Sequence, residues 1–203
     1  MKKKILSFLI AICLIIPCAI TLAACNDKDP KMETWNGKVA EVSAAVENVI
    51  TIETAEELAG LAKEVNDGNS FEGKTIKLTC DIDLANREWT PIGYGSSSVD
   101  ATADAYSKVF RGTFDGQDHE IKNLKITTFK GGASNTEAAS GVGLFGNIHG
   151  ATIKNLDVDN AVVKGNHWVG AVVGFARASV LDDVDVENVA ITCTSLVTAF
   201  LGI

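Results

Sequence analysis

Four carboxylates recur in this sequence at a fixed spacing. The interval from Asp157 to Asp185 is repeated from Asp159 to Glu187. If segments at that interval lie side by side as strands, each pair is separated by about 4.8 Å. Stacked carboxylates repel one another unless water solvates them or a cation bridges them. Calcium favours such oxygen clusters, so Asp157, Asp159, Asp185 and Glu187 are the calcium candidates. Paired carboxylates also serve carbohydrate-cleaving enzymes as acid and base. An exposed acidic ladder that keeps the surface soluble requires neither role, and exposed acids commonly stay unbridged.

Other chemistry-bearing patterns are present but lack their context. His119, His149 and His167 are the only histidines, and none stands at a metal-ligand spacing. No nucleophile-elbow pattern accompanies them. The run from Gly68 to Thr75 satisfies the phosphate-loop pattern, which needs a strand before it and a helix after it. Here the order is reversed, and Glu72 would repel a phosphate. Gly141, Gly143 and Gly146 fit a dinucleotide fingerprint, but no helix follows them. No catalytic residue and no cofactor site emerges, and nucleotide is excluded as a partner.

The acidic ladder depends on a repeat. Gly143-Leu144-Phe145-Gly146 aligns with Ala171-Val172-Val173-Gly174, and that, after an equal interval, with Ala199-Phe200-Leu201-Gly202. Ile153 to Val158 aligns with Leu181 to Val186, and Asn160 with Asn188, at the same interval. One pass earlier, Ile121 to Ile126 matches Ile153 to Val158 at a slightly longer step, the extra residues fitting the polar loop 131–140. Self-similarity at a fixed period indicates a solenoid or array. Apolar Leu156 and Val158 alternate with Asp157, and no repeat holds a long helical pattern. Three short apolar runs per repeat, 153–158, 161–163 and 169–173, suit an all-β parallel β-helix whose inward residues stack into a core. Asn123, Asn155 and Asp183 are then expected at one corner, where Asn tolerates turn geometry. A propeller would need longer repeats of four strands.

One helix precedes the repeats. Thr54 and Glu57 form a capping box, Leu58, Leu61, Ala62 and Val65 share one face, and Asn66-Asp67-Gly68-Asn69 ends it. The spacing predicts a helix over about 55–67, placed to cover the N-terminal end of the solenoid, whose open edges otherwise invite pairing. Residues 94–108 read as a loop insertion. The last repeat breaks off mid-pattern at Ile203, so the domain is expected to be incomplete at its C-terminus.

The leader is a separate signal. Lys2, Lys3 and Lys4 precede an apolar run from Ile5 to Ile20 interrupted by Pro17, and Leu22-Ala23-Ala24-Cys25 follows. A basic start, an apolar core and small residues before a cut describe a secretory signal peptide over 1–24. The final tetrapeptide resembles the lipobox of bacterial lipoproteins. That resemblance implies that Cys25 is acylated, palmitate being one such chain, and becomes the first residue of the mature protein. Buried acyl chains stabilise membrane attachment by about 0.8 kcal/mol per methylene. Residues 25–48 are expected to form a polar tether, and 49–203 the repeat domain. Asn26 rather than Asp leaves outer-membrane sorting open if the host is Gram-negative. Cys80 and Cys193 are the cysteines left, too few for a disulfide framework, and they read as buried small residues. Removing the three leader lysines from 18 basic residues leaves 15 against 26 acidic, a net charge near −11. That balance argues against a nucleic-acid partner, which needs clustered Lys and Arg.

Residues 49–203 resemble the GLUG-repeat surface proteins of bacteria, found in adhesin-like lipoproteins. The resemblance rests on Thr54 to Leu58 with Leu61-Ala62 and Val65-Asn66, on Asp81 to Leu84, Trp89 to Gly93, Phe110 to Gly116, Ile121 to Leu124 and Gly143 to Gly146. It implies a right-handed β-helix and supplies no agreed catalytic residue. The expected function is a non-enzymatic, cell-surface binding or adhesion-like module, facing outward and contacting a glycan or protein of host or matrix. The alternatives are a carbohydrate-active enzyme using the acidic ladder and a structural spacer or fragment of a larger surface protein.

Overall fold

A computed structural model describes residues 32–42, 48–94, 108–130 and 140–194. The leader, Cys25 with most of the expected tether, nearly all of the loop insertion 94–108, the polar loop from 131, and 195–203 lie outside the described residues. Within them the chain is mostly strand, with one helix.

The elements in order are β1 (Met32–Thr34), β2 (Val49–Ile52), α1 (Ala55–Asn66), β3 (Thr75–Leu78), β4 (Asp81–Asp83), β5 (Thr113–Lys122) and β6 (Lys125–Ile126). Then follow β7 (Ser140–Val142), β8 (Phe145–His149), β9 (Thr152–Gly165), β10 (His167–Val169), β11 (Val173–Arg177) and β12 (Val180–Cys193). The pairing is parallel throughout. One sheet runs β2-β3-β5-β9-β12, joined by β1-β4 through β5 and by β6 through β9, and two small sheets hold β7-β10 and β8-β11. Parallel neighbours exclude the antiparallel blades of a propeller. The third apolar run of each pass divides into β10 and β11, separated by a bend at 170–172.

Register corrects part of the repeat. β9 and β12 pair at the interval seen in the sequence, Val158 opposite Val186, and β8 and β11 keep the same step, Phe145 opposite Val173. The earlier match, of Ile121 with Ile153, is not a structural one. Ile121 pairs with Val158 instead, and Lys125 and Ile126 pair with Val162 and Val163. The step there is longer than the sequence match implies, and longer still between Thr113 and Thr152, because β5 carries two extra residues between Asp115 and His119. Gly116 permits this bulge, since a Cβ on it would lie 2.2 Å from the Asn155 carbonyl oxygen.

The reason lies in the corners. β9 bends twice, at Asn155 and Asn160, both in the left-handed region with φ of 49° and 53°. Asn tolerates that region better than other residues bearing a Cβ. Asn123 (φ 59°) lies at the second corner, where its amide oxygen accepts from Asn160 Nδ2, and so does not stack on Asn155. Asn155 instead donates to Asp115 Oδ1 at 2.8 Å. Two corners of one local chemistry look alike in sequence, and a sequence match cannot tell which is stacked on which. The later pair holds: Asn155 and Asp183 occupy equivalent bends of β9 and β12.

The core is the inward row of these strands. Ile76, Phe114 and Ile153 stack across β3, β5 and β9, and Ile82, Ile121 and Val158 stack across β4, β5 and β9; all are at most 1% exposed. Phe145 meets Phe110 at 5.4 Å and Phe114 edge-on at 5.2 Å. Each such side chain gains about 1.5–3 kcal/mol from leaving water.

Helix α1 forms as its sequence requires. Thr54 accepts from the Glu57 N–H at 3.2 Å, and the Glu57 carboxylate accepts from the Thr54 N–H at 3.1 Å. Leu58, Leu61, Ala62 and Val65 are buried. The expected tether needs correction at its distal end. Met32–Thr34 pairs with Asp81–Asp83, Trp35 is buried with its main-chain N–H on the Asp83 carbonyl, and the Ala40 N–H donates to the Glu56 carbonyl. Folded structure therefore begins before residue 49. No clean period marks this stretch, which is fastened by one tryptophan and main-chain bonds.

Candidate functional site

The acidic residues are placed by the strand register. Asp157 lies opposite Asp185, and Asp159 opposite Glu187, as the repeat requires. β5 extends both columns by one step, to Glu120 beside Asp157 and Lys122 beside Asp159. The two columns differ in charge. Glu120-Asp157-Asp185 is wholly acidic, and the Asp157 pKa is raised, first by partial desolvation and then by Asp185 and Glu120. The second column contains a cation, Lys122, between Asp83 of β4 and Asp159; Lys122 bonds Glu120 at 2.5 Å, while Asp159 accepts from Asn188 Nδ2 at 2.7 Å. Among the described residues, no three His, Cys, Asp or Glu side chains converge to hold a metal ion. The calcium candidates Asp157, Asp159, Asp185 and Glu187 form two flat rows, without a pocket of oxygen ligands.

Two acids of this sheet are buried, Asp81 and Asp115, and Asp115 is the more deeply so. Burial opposes its charge, but hydrogen bonds from Gln117 and Asn155 and the Lys154 ammonium at 3.2 Å outweigh it and hold its pKa down at about 2. The histidines are spread over three sheets. His119 Nδ1 lies 3.0 Å from Asp81 Oδ1, an oxygen that also accepts the Glu120 N–H, while His149 ends β8 and His167 opens β10. Gly68 follows the helix and Gly73 precedes β3, so the phosphate-loop pattern has its elements reversed, and Gly141 to Gly146 spans two strands. The thiols of Cys80 and Cys193 donate to the carbonyls of Glu53 and Asn166. Cys80 is buried, as expected, whereas Cys193 is half-buried.

A second feature was not legible as a motif. A cleft of about 260 Å³ opens where α1 meets the segments 35–39 and 89–94. Two of the chain's three tryptophans and one of its two tyrosines line it, together with Val39, Ala59, Ala62, Lys63 and Asp67. Trp35 and Trp89 meet edge-on at 5.5 Å, each with its indole N–H on a main-chain carbonyl, of Lys38 and Leu144 respectively. Asn66, buried at the end of α1, sets the far wall. Its Nδ2 donates to the Pro91 carbonyl at 3.0 Å, and its Oδ1 accepts from the N–H groups of Gly93 and Tyr94 at 3.1 Å. Thus an amide that reads as a helix stop ties the helix to the next pass. The rim is polar: Lys63 and Asp67 pair at 2.5 Å, both well exposed, beside Thr90. Val39 is 52% exposed there, an apolar surface with room beside it. The one available signal was the concentration of scarce aromatic residues within 35–94.

Such a cleft suits a small amphipathic ring, with an apolar floor for its carbon face and a donor and acceptors at the mouth. No protein family matches the chain, and no solved structure does. A stretch of 143 residues, 69% of the chain, is 28% identical to halomucin of Haloquadratum walsbyi (strain DSM 16790 / HBSQ001). It spans 2% of that protein's length. Among the described residues no helix is long and apolar enough to cross a membrane, which leaves β-barrels unaddressed.

Proposed function

We propose that this chain is a cell-surface binding module, lipid-anchored through Cys25 and without catalytic activity, that holds a glycan in the cleft between α1, Trp35, Trp89 and Tyr94. The observation that carries this reading is the cleft itself, with its apolar floor, its Lys63–Asp67 rim and its exposed Val39. The scaffold in this reading is a right-handed parallel β-helix of the GLUG-repeat kind, with α1 across its N-terminal end. Support comes from parallel pairing between successive passes, from the inward apolar stacks and from the right-handed preference of parallel crossovers. The similarity to a stretch of halomucin, a surface protein, supports an outward-facing location.

The test is a glycan array probed with the purified chain. A defined subset of glycans should be retained, and Tyr94→Ala and Val39→Asp should each reduce that signal about tenfold or more. An array at background throughout, or variants that bind as the parent does, would overturn the reading. The anchor is tested separately, since Cys25→Ser should release the protein from the membrane fraction.

A second reading is favoured by one observation, the raised pKa of Asp157 beside Asp185. A carboxyl group whose proton is held more tightly beside a second carboxylate is a starting arrangement for a polysaccharide-cleaving site. Polysaccharide depolymerisation that disappears in Asp157→Asn would establish it in place of the first.

A further inference from the structure

The cleft between α1 and the two tryptophans has an interior and a mouth of opposite chemistry. Trp35, Ala59, Ala62 and Trp89 form its floor, each at most 8% exposed. Among the described residues that line it, Asn66 brings the one side-chain acceptor of the interior. Its Oδ1 already accepts from the N–H groups of Gly93 and Tyr94. Both indole N–H groups are bonded to main-chain carbonyls. On the Trp35 wall the carbonyls of Trp35 and Lys38 are taken as well, by Arg87 Nε at 3.1 Å and Trp35 Nε1 at 2.7 Å. A hydroxyl buried on this floor would carry a proton with no acceptor to meet it. A methyl group in the same place loses no hydrogen bond and gains from leaving water.

The mouth is polar on one side. Lys63 and Asp67 stand one helical turn apart, paired at 2.5 Å and well exposed, with the exposed Thr90 nearby. The ammonium has protons beyond the one shared with Asp67, and the carboxylate has a second oxygen. Together with the Thr90 hydroxyl they offer donors and acceptors to the hydroxyls of a ring. A cationic ligand would also meet Lys63, and an anionic one Asp67, so the pair favours neither sign of charge.

We propose that the glycan held in this cleft ends in a neutral sugar with a methyl-bearing substituent, either the methyl of a deoxy sugar or that of an acetamido group. The methyl group lies on the floor, and the ring hydroxyls meet Lys63, Asp67 and Thr90 at the mouth. This rests on the reading of the cleft as a glycan site and goes one step further, to which glycans enter.

The experiment is calorimetric titration of the purified chain with free sugars in matched sets. L-Fucose is compared with L-galactose, which has a hydroxymethyl group in place of the methyl. N-Acetylglucosamine is compared with glucose, and with glucosamine as the charged member. In at least one set the methyl-bearing sugar should bind about tenfold to a hundredfold more tightly than its hydroxylated counterpart. The set that shows the preference tells which substituent the floor takes, and glucosamine should bind no better than glucose. Ala59→Ser sets an acceptor on the floor and should shrink the preference about threefold or more, by improving the hydroxylated sugar. Asp67→Asn should weaken both members of a set alike and keep their ratio. Equal binding within both sets, a preference for the hydroxylated sugars, or tighter binding of glucosamine than of N-acetylglucosamine overturns the proposal, even if a variant fails to fold. A glycan array that retains only sugars without such substituents refutes it while the cleft stays a glycan site, and an array at background refutes both.

Discussion

At the level of single residues, this protein is organised by side chains that fasten bends. Asp115 is 4% exposed and gathers Gln117, Asn155 and Lys154 around its carboxylate. Its pKa of about 2 lies below the ordinary 3.8, so the folded state binds this proton more weakly than the unfolded chain. The stabilisation is therefore complete above the unfolded value and is lost as pH falls from about 4 toward 2. Asp115→Asn should lower neutral-pH stability by about 2 kcal/mol and flatten the acid limb of the urea midpoint across that window. An acid limb as steep as the parent's would contradict this role. Asn160 makes a second test. At φ 53° an alanine costs about 1–2 kcal/mol, whereas glycine enters without that strain. Asn160→Ala should therefore lower the thermal midpoint more than Asn160→Gly, although alanine is the smaller loss of side chain. These corner residues were readable from sequence as turn formers. Their stacking partners were not, because the bend at Asn123 has the same local pattern as both Asn155 and Asn160.

At the level of elements, the helix was legible and the segment that packs on it was not. The capping box and the apolar face of α1 depend on contacts within the helix and its first turn, so spacing alone states them. The β1 strand and Trp35 depend on partners far along the chain, at Asp81–Asp83 and Trp89, which no local period reports. The same blindness hid the cleft, whose walls come from 35–39, α1 and 89–94. Gly60 shows how the two kinds of information conflict. A glycine inside a helix normally costs about 1 kcal/mol relative to alanine, so replacing it should help. Here a Cβ would lie 2.1 Å from the Ala40 carbonyl oxygen, and main chain must move to admit it. Gly60→Ala should thus destabilise the fold and raise the rate of proteolytic nicking near residue 40, while leaving helix content by circular dichroism nearly unchanged. A variant more stable than the parent would show that segment 35–42 does not rest on the helix.

At the level of the whole molecule, parallel passes make stability a property of neighbours. Each inward side chain is covered by the pass before it and the pass after it, so position along the stack decides the worth of a residue as much as its type. The acidic ladder was legible at this scale because β9 and β12 are free of insertions and keep one register from Thr152–Val180 to Gly165–Cys193. The pass before was misread because two residues added to β5 and a longer connection lengthen the step without altering the local alternation. Val158 and Val186 offer a controlled comparison, being the same residue at facing positions of adjacent strands. Val158 is 1% exposed between β5 and β12, and Val186 is half-buried with β9 on one side. Removing two methyl groups from a buried site costs about 2 kcal/mol from transfer and the cavity left behind. Val158→Ala should reach that value in urea unfolding of the chain alone, and Val186→Ala should fall below half of it. Equal costs would mean that β12 is covered on its other side as well.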